Sequence, residues 1–265
     1  GWFGGYMTAK ALGEDAAEMT AVLSTAPGPL QLLPTPEYGN GWLQIKNGAQ
    51  EEFLPKQNDP YTEIYTVRGE WWSLCEDHLV NPLNTAKDVK KKQAQMDADW
   101  DKFVASIDDD VEVFHRQITR KYHPNTHAFY SADASKRAYG NVIWRGGNKV
   151  GESLLSGSRP SYPMAGRALN PNEVGSSRTI AAPLGGTGWK TGVQQRYTLS
   201  DPEEPGDGTV PLRSGVAPRQ HVISMLSVNV GHEPAYKESE RARLFTVRAI
   251  VKIMQNVNQT SLSYE

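Results

Sequence analysis

The longest regular pattern in the chain lies between residues 89 and 118. Val89, Met96, Trp100, Phe103, Ile107, Val111, Phe114 and Ile118 recur three, four or seven apart. That spacing keeps them on one face of a helix and leaves the charged residues on the other. The Asp108-Asp109-Asp110 run falls on the charged face and reads as solvated surface rather than as a metal site. A second stripe, Leu244, Val247, Ile250, Val251 and Met254, predicts a closing helix over 238–257. Residues 4–12 (GGYMTAKAL) predict a short helix after a glycine pair, ended by Gly13 and the acidic EDAAE stretch. Met19–Ala26 (MTAVLSTA), apolar and bounded by Pro27, Gly28 and Pro29, predicts a buried strand. Thr126–Ser131 and His221–Val230 predict further strands, and Asn141–Arg145 with Gln194–Leu199 a strand pair around a Gly/Ser-rich loop at 146–192. Residues 27–85 carry little periodicity and predict a long irregular excursion, with a short strand at Tyr61–Val67. The order of helices and strands is an α/β alternation. In such sheets the working residues sit on loops beyond the carboxyl ends of strands, here after residues 26, 131 and 230.

Bulk properties narrow the function. The 265 residues suffice for one large domain or a domain with an elaborate cap. Apolar residues make up 38%, and 24 glycines with 17 prolines predict much loop. A net charge of −2 gives no argument for nucleic acid as a partner. The single cysteine, Cys75, excludes a disulfide framework and a cysteine-based zinc site within the chain. No apolar run approaches the roughly 18 residues that span a bilayer, and no signal peptide is visible. The chain opens at Gly1 on an apolar, glycine-rich stretch that reads as the middle of a domain.

Two loops hold candidate chemistry. In Pro205-Gly206-Asp207-Gly208-Thr209-Val210-Pro211 a carboxylate sits between two glycines, small enough neighbours to let another side chain approach. An ordinary Asp-Gly turn is the alternative. In Val230-Gly231-His232-Glu233-Pro234 a histidine follows a strand and precedes the last helix. Imidazole titrates near neutrality and suits general-base work; a surface loop histidine is the alternative. His123 and His127 are four apart, but Pro124 and Asn125 between them argue against a helical metal pair. Asp207 followed by His232, each on a post-strand loop with a helix closing the chain, matches the second half of the order Ser…Asp…His of α/β-hydrolases.

The resemblance rests on four segments. GDGTVPLRSG (206–215) resembles the acid motif of the lecithin:cholesterol acyltransferase-like lipases. VNVGHEPAYKESERARLFTVRAI resembles the histidine loop and closing helix of bacterial members. HPNTHAFYSADASKRAYGNVIW (123–144) and TAPGPLQLLPTPEYG (25–39) resemble the phospholipase effectors of type VI secretion, particularly the third lipase-effector family. The resemblance implies an α/β-hydrolase-like, mostly parallel sheet with helices on both faces, incomplete at the N-terminus. Residues 1–265 would be the C-terminal part of one such domain, with cap or lid insertions at 27–85 and 146–192. Asp207 would be the orienting carboxylate and His232 the general base, with Asp201 and Glu204 as reserve acids. No cofactor is implied. The substrate would be a phospholipid acyl ester. The protein would be made in the cytoplasm, exported with an adaptor or spike protein to act in a target cell's periplasm, and countered by an immunity protein.

The sequence departs from that pattern at the nucleophile. No G-x-S-x-G pentapeptide exists, and Gly151–Gly157 (GESLLSG) lacks its spacing. The family's elbow aligns best with Gly1-Trp2-Phe3-Gly4-Gly5, which puts Trp2 at the serine position and Phe3 and Gly4 beside the elbow, where an oxyanion donor would lie. The serine is therefore expected upstream of Gly1, on the N-terminal part of the same enzyme or on another chain. Trp71 and Trp72 are candidates for a lid tip or lipid-facing patch, with core packing as the alternative. Two rival readings remain: a non-catalytic hydrolase remnant that binds a partner protein, and an unspecific carboxylesterase or acyltransferase.

Overall fold

The computed structural model describes residue 13 and residues 15–150, 164–170, 175–181 and 194–260. The chain forms two compact units: one from Ile118–Asn141 and Asp201–Glu265, the other from Trp2–Gln117 and Val142–Ser200. The insertions expected at 27–85 and 146–192 fall in the second unit.

In the second unit, α1 (Ala16–Leu23) occupies the segment expected to be a strand. Asp15 caps it, its carboxylate accepting the amide of Glu18 at 2.9 Å. Asp15 and Glu18 are an N-cap residue and its third-position acid, a helix-start signature. The acidic stretch thus begins a helix, and Ala, Glu and Met carry it over the β-branched residues. The predicted helix at 4–12 lies outside the described residues. A short helix α2 (Pro27–Leu30) follows. Residues 27–85, expected to be irregular, contain the hairpin β1 (Leu43–Asn47) and β2 (Gln50–Leu54). Its two-residue turn is Gly48-Ala49, with Gly48 at φ +62°, the left-handed geometry a tight hairpin needs. Tyr61–Tyr65, expected to be a strand, is a π-helical turn. Asp59 accepts the amides of Tyr61 and Thr62, and Tyr61, Ile64 and Tyr65 share a buried helical face.

After α3 (Asp77–Val80), the long helix appears as the stripe predicts: α4 (Val89–Ala105) passes through a π-helical stretch, Ser106–Glu112, into α5 (Val113–Ile118). Trp100, Phe103, Ile107 and Val111 are buried against Trp42, Tyr61 and Tyr65, while Asp108, Asp109 and Asp110 are exposed. The sheet of this unit runs β2-β1-β5-β7-β6, with β5 at Val142–Val150, β6 at Ser177–Ala181 and β7 at Gln194–Leu199. β1 and β5 are parallel; the other pairings are antiparallel, including the expected pairing of β5 with β7. Part of the predicted loop at 146–192 is therefore strand.

The first unit contains β3 (His127–Ser131), β4 (Asp133–Ala138), β8 (Glu204–Gly206), α6 (Leu212–Val216), β9 (Ser224–Val228), α7 (Ala235–Glu238) and α8 (Glu240–Val257). β3 and β9 pair in parallel, from His127 opposite Ser224 to Ser131 opposite Val228. β4 and β8 pair antiparallel. α8 matches the closing helix read from the sequence, but its burial does not. Ala242 and Ala249 are buried, whereas Leu244, Val247, Ile250, Val251 and Met254 are 46–61% exposed. Small alanines let the helix approach the sheet closely, so the alanine face packs inward and the larger residues remain outside. Among the described residues no helix is long and apolar enough to cross a membrane.

Candidate active site

Parallel pairing puts the carboxyl ends of β3 and β9 side by side. The Ser131 hydroxyl, buried there, donates to the Val230 carbonyl at 2.8 Å and accepts the Val230 amide at 3.2 Å. Those two bonds pin the backbone two residues before His232. The Gly231 amide donates to Glu238 on α7 at 3.3 Å, and Lys136 approaches the same carboxylate at 3.9 Å. Ser131, Lys136 and Glu238 thus hold the histidine loop, and no spacing in the sequence marks them; only a serine ending a predicted strand hints at the first.

The Asp207 loop follows β8. A side chain at Gly206 would strike the Val210 carbonyl, and Gly208 adopts φ +95°, so both flanking glycines are sterically required. The Gly208 amide donates to the Lys136 carbonyl at 3.1 Å, which ties this loop to β4. Asp207 Oδ1 accepts the amides of Thr209 at 2.8 Å and Val210 at 2.6 Å. Asp207 Oδ2 lies 2.9 Å from His232 Nδ1. The Asp-Gly turn and the carboxylate–imidazole pair are thus both present, each using one oxygen.

Burial works against the charged carboxyl of Asp207. The Val210 amide, the His232 imidazole and the Thr209 amide outweigh it, and the acid is held below the ordinary carboxylate range. An ionised carboxylate only accepts hydrogen bonds, so Nδ1 carries a proton, and in the neutral ring Nε2 presents its lone pair. The Asp207 side chain is 17% exposed and that of His232 is 43% exposed. This arrangement can orient an imidazole, stabilise it when protonated, and offer a base at an open edge.

The other predicted positions fare differently. Glu204 is committed to Arg213, which it meets through Nε at 2.6 Å and through the backbone amide at 2.6 Å; Asp201 is exposed. Phe3, Gly4 and the Gly151–Gly157 segment lie outside the described residues. Trp71 is not a lid tip. It is 5% exposed, stacks on Tyr197 at 4.5 Å, meets Trp144 edge-on, and donates its indole N–H to the Met164 carbonyl at 2.9 Å. Trp72 is half-buried and packs beside the same core. An aromatic pocket was available inside, and it satisfied the indole as well as the ring. His127 Nδ1 bonds the Ser224 hydroxyl and His123 Nδ1 accepts the Asn125 amide. Glu76, Asp77 and His78 are the group among the described residues with metal-ligand proximity. Both oxygens of Asp77, however, are taken by Arg167 and Arg68, so the cluster reads as an ion-pair network.

No protein-family model matches the chain, and no curated protein matches it. Among solved structures the chain is similar to one in the crystal structure of the Tle4-Tli4 complex, with a TM-score of 0.62 and 22% identity. The match covers 92% of this chain and 49% of that one, so the chain spans about half the length of the protein it resembles. At that identity the likeness is one of fold, and the chain accordingly has an α/β fold shared with a chain of the Tle4-Tli4 complex.

Proposed function

We propose that Asp207 and His232 are the acid and base of a Ser-His-Asp carboxyl-ester hydrolase acting on phospholipid acyl esters. The observation that carries this reading is the 2.9 Å contact between Asp207 Oδ2 and His232 Nδ1 beside the carboxyl end of the parallel β3–β9 pair. In the proposed mechanism a serine outside this chain attacks the ester carbonyl while His232 Nε2 accepts its proton. Asp207 keeps the imidazole in the tautomer required and stabilises the imidazolium. His232 then returns the proton to the leaving alkoxide, and water repeats the cycle on the acyl-enzyme. The sequence motifs at 206–215 and 123–144 and the shared fold support a type VI secretion lipase effector. Tle4 is seen in complex with Tli4, and on that likeness the protein has an immunity protein among its partners, an adaptor or spike protein for export, and the target cell's periplasm as its place of action. Residues 1–265 are, in this reading, the C-terminal part of one hydrolase domain, with its cap or lid insertions at 27–85 and 146–192 within the second unit.

The test is fatty-acid release from phospholipid vesicles by the enzyme that joins this chain to the segment bearing the serine. His232→Ala should abolish release. Full activity in that variant overturns the mechanism. No release by the wild type, together with tight binding of a partner protein, favours a non-catalytic binding module.

A further inference from the structure

The second unit contains an apolar cavity of about 330 Å³. Its wall is formed by Ala16, Met19 and Leu23 on α1, Leu30 and Leu33 at and after α2, and Phe103 on α4. That volume lies at the lower end of the range for sites that enclose small molecules, about 300–1,000 Å³. Three polar side chains, Thr20, Ser24 and Arg178, interrupt the apolar wall. Ser24, 5% exposed, lines the cavity with a buried hydroxyl that has no hydrogen-bond partner among the described residues. Arg178 is the one cation on the described wall; its guanidinium is braced by the carbonyls of Gly175 and Ser177. Cys75 also lines the cavity, but burial pushes its thiol up to about 12, so it stays neutral and behaves as apolar surface.

An unpartnered buried hydroxyl is costly, and a ligand that brings an acceptor to it removes that cost. A wholly apolar ligand would leave it unmet; a polar one would not match the leucine, methionine and phenylalanine wall. We propose that this cavity binds one aliphatic chain ending in a carbonyl or carboxylate, with the Ser24 hydroxyl donating to that oxygen and Arg178 supplying the positive field. A free fatty acid and the acyl chain of a lipid share this chemistry. The proposal does not depend on the hydrolase reading, because binding is measured without turnover.

Isothermal titration with dodecanoate, and separately with a lysophospholipid carrying a dodecanoyl chain, both below their micellar concentrations, tests it. The wild type should bind dodecanoate at a single site. Ala16→Trp and Met19→Trp, at half-exposed wall positions, should fill the cavity and weaken binding at least tenfold, with circular dichroism and melting showing that each is folded. Ser24→Ala should weaken it by about tenfold, the loss of one hydrogen bond to a charged group. Binding of both ligands assigns the site to acyl chains in general; binding of dodecanoate alone assigns it to free acids. No binding by the wild type, or unchanged affinity in both folded tryptophan variants, overturns the proposal. If neither tryptophan variant folds, unchanged affinity in Ser24→Ala overturns it, and tenfold weakening supports it.

Discussion

At Asp207 the two carboxylate oxygens have different partners, and that separates the effects of two substitutions. Asp207→Asn keeps one acceptor oxygen but loses the charge that stabilises an imidazolium, so activity should fall on the order of ten-thousand-fold. His232→Ala removes the base itself and should cost on the order of a million-fold, since triad members act as a unit. Initial rates on phospholipid vesicles measure both; equal activity of Asp207→Asn and wild type would contradict the pairing. Ser131 acts one step back. Its hydroxyl is buried and satisfies both backbone groups of Val230, so Ser131→Ala leaves two buried groups without partners. We expect a loss of about 1–3 kcal/mol in urea unfolding.

Among the elements, α3 begins with the most strongly perturbed acid of the described residues. Asp77 is 1% exposed and is bound by Arg167 and by Arg68, which also holds Asp97. The Arg167 hydrogen bonds, joined by that of Arg68, outweigh burial, which acts the other way, and hold its carboxyl far below the usual range. A depressed folded-state pKa contributes stability above the unfolded value, and that stability disappears as pH falls toward the folded one. Unfolding free energy should therefore be level near neutrality and decline below about pH 4. In Asp77→Asn that part of the decline should be absent and the neutral-pH stability lower by roughly 3 kcal/mol, the low end for breaking a buried pair whose cations keep some water. Urea titrations at pH 3, 4 and 7 on both proteins would show it. The closing helix gives a contrasting expectation. Leu244 and Met254 are 61% and 59% exposed, whereas Ala249 is 9% exposed. Leu244→Ser and Met254→Ser should each change this chain's stability by less than about 0.5 kcal/mol. Ala249→Leu should cost about 1–3 kcal/mol through overpacking. A melting series would reverse this picture if the leucine and methionine were the core face.

For the whole molecule, the two units draw on the sequence unequally. The unit with Asp207 and His232 is assembled from two separated stretches, while the residues before Ile118 and those of 142–200 build a unit with its own aromatic core around Trp42, Tyr61, Tyr65 and Trp100. Trp71→Ala should therefore behave as a core deletion, costing about 3–5 kcal/mol, without selectively weakening attachment to lipid vesicles. A stable variant that no longer partitions to vesicles would return Trp71 to the surface. In the proposed reaction the chain alone lacks the nucleophile, so it should release no fatty acid by itself and should do so when joined to the serine-bearing segment. Release by this chain alone would mean that the nucleophile lies within it.

Local chemistry determined much of this protein directly. The helical stripe over 89–118 needs only its spacing, and the Asp207 loop only two glycines around a carboxylate that its own turn can bind. The chain order of Asp207 and His232 fixed which loops to compare, because parallel strands bring their carboxyl ends together. The Gly48 turn and the Asp15–Glu18 cap were also written in the sequence, but a hydrophobic-run reading passes over them: the hairpin strands are short and the helix is β-branched at Thr20 and Val22. Tertiary packing alone decided the rest. Whether Trp71 faces lipid or core depends on Tyr197 and Trp144, each more than 70 residues away. Which face of α8 is buried depends on how closely the sheet can approach two alanines. The bond that brings Asp207 Oδ2 to His232 Nδ1 spans 25 residues and depends on Ser131 and Lys136 holding both loops. These are long-range contacts whose partners sequence spacing does not encode, and they settle where each side chain points.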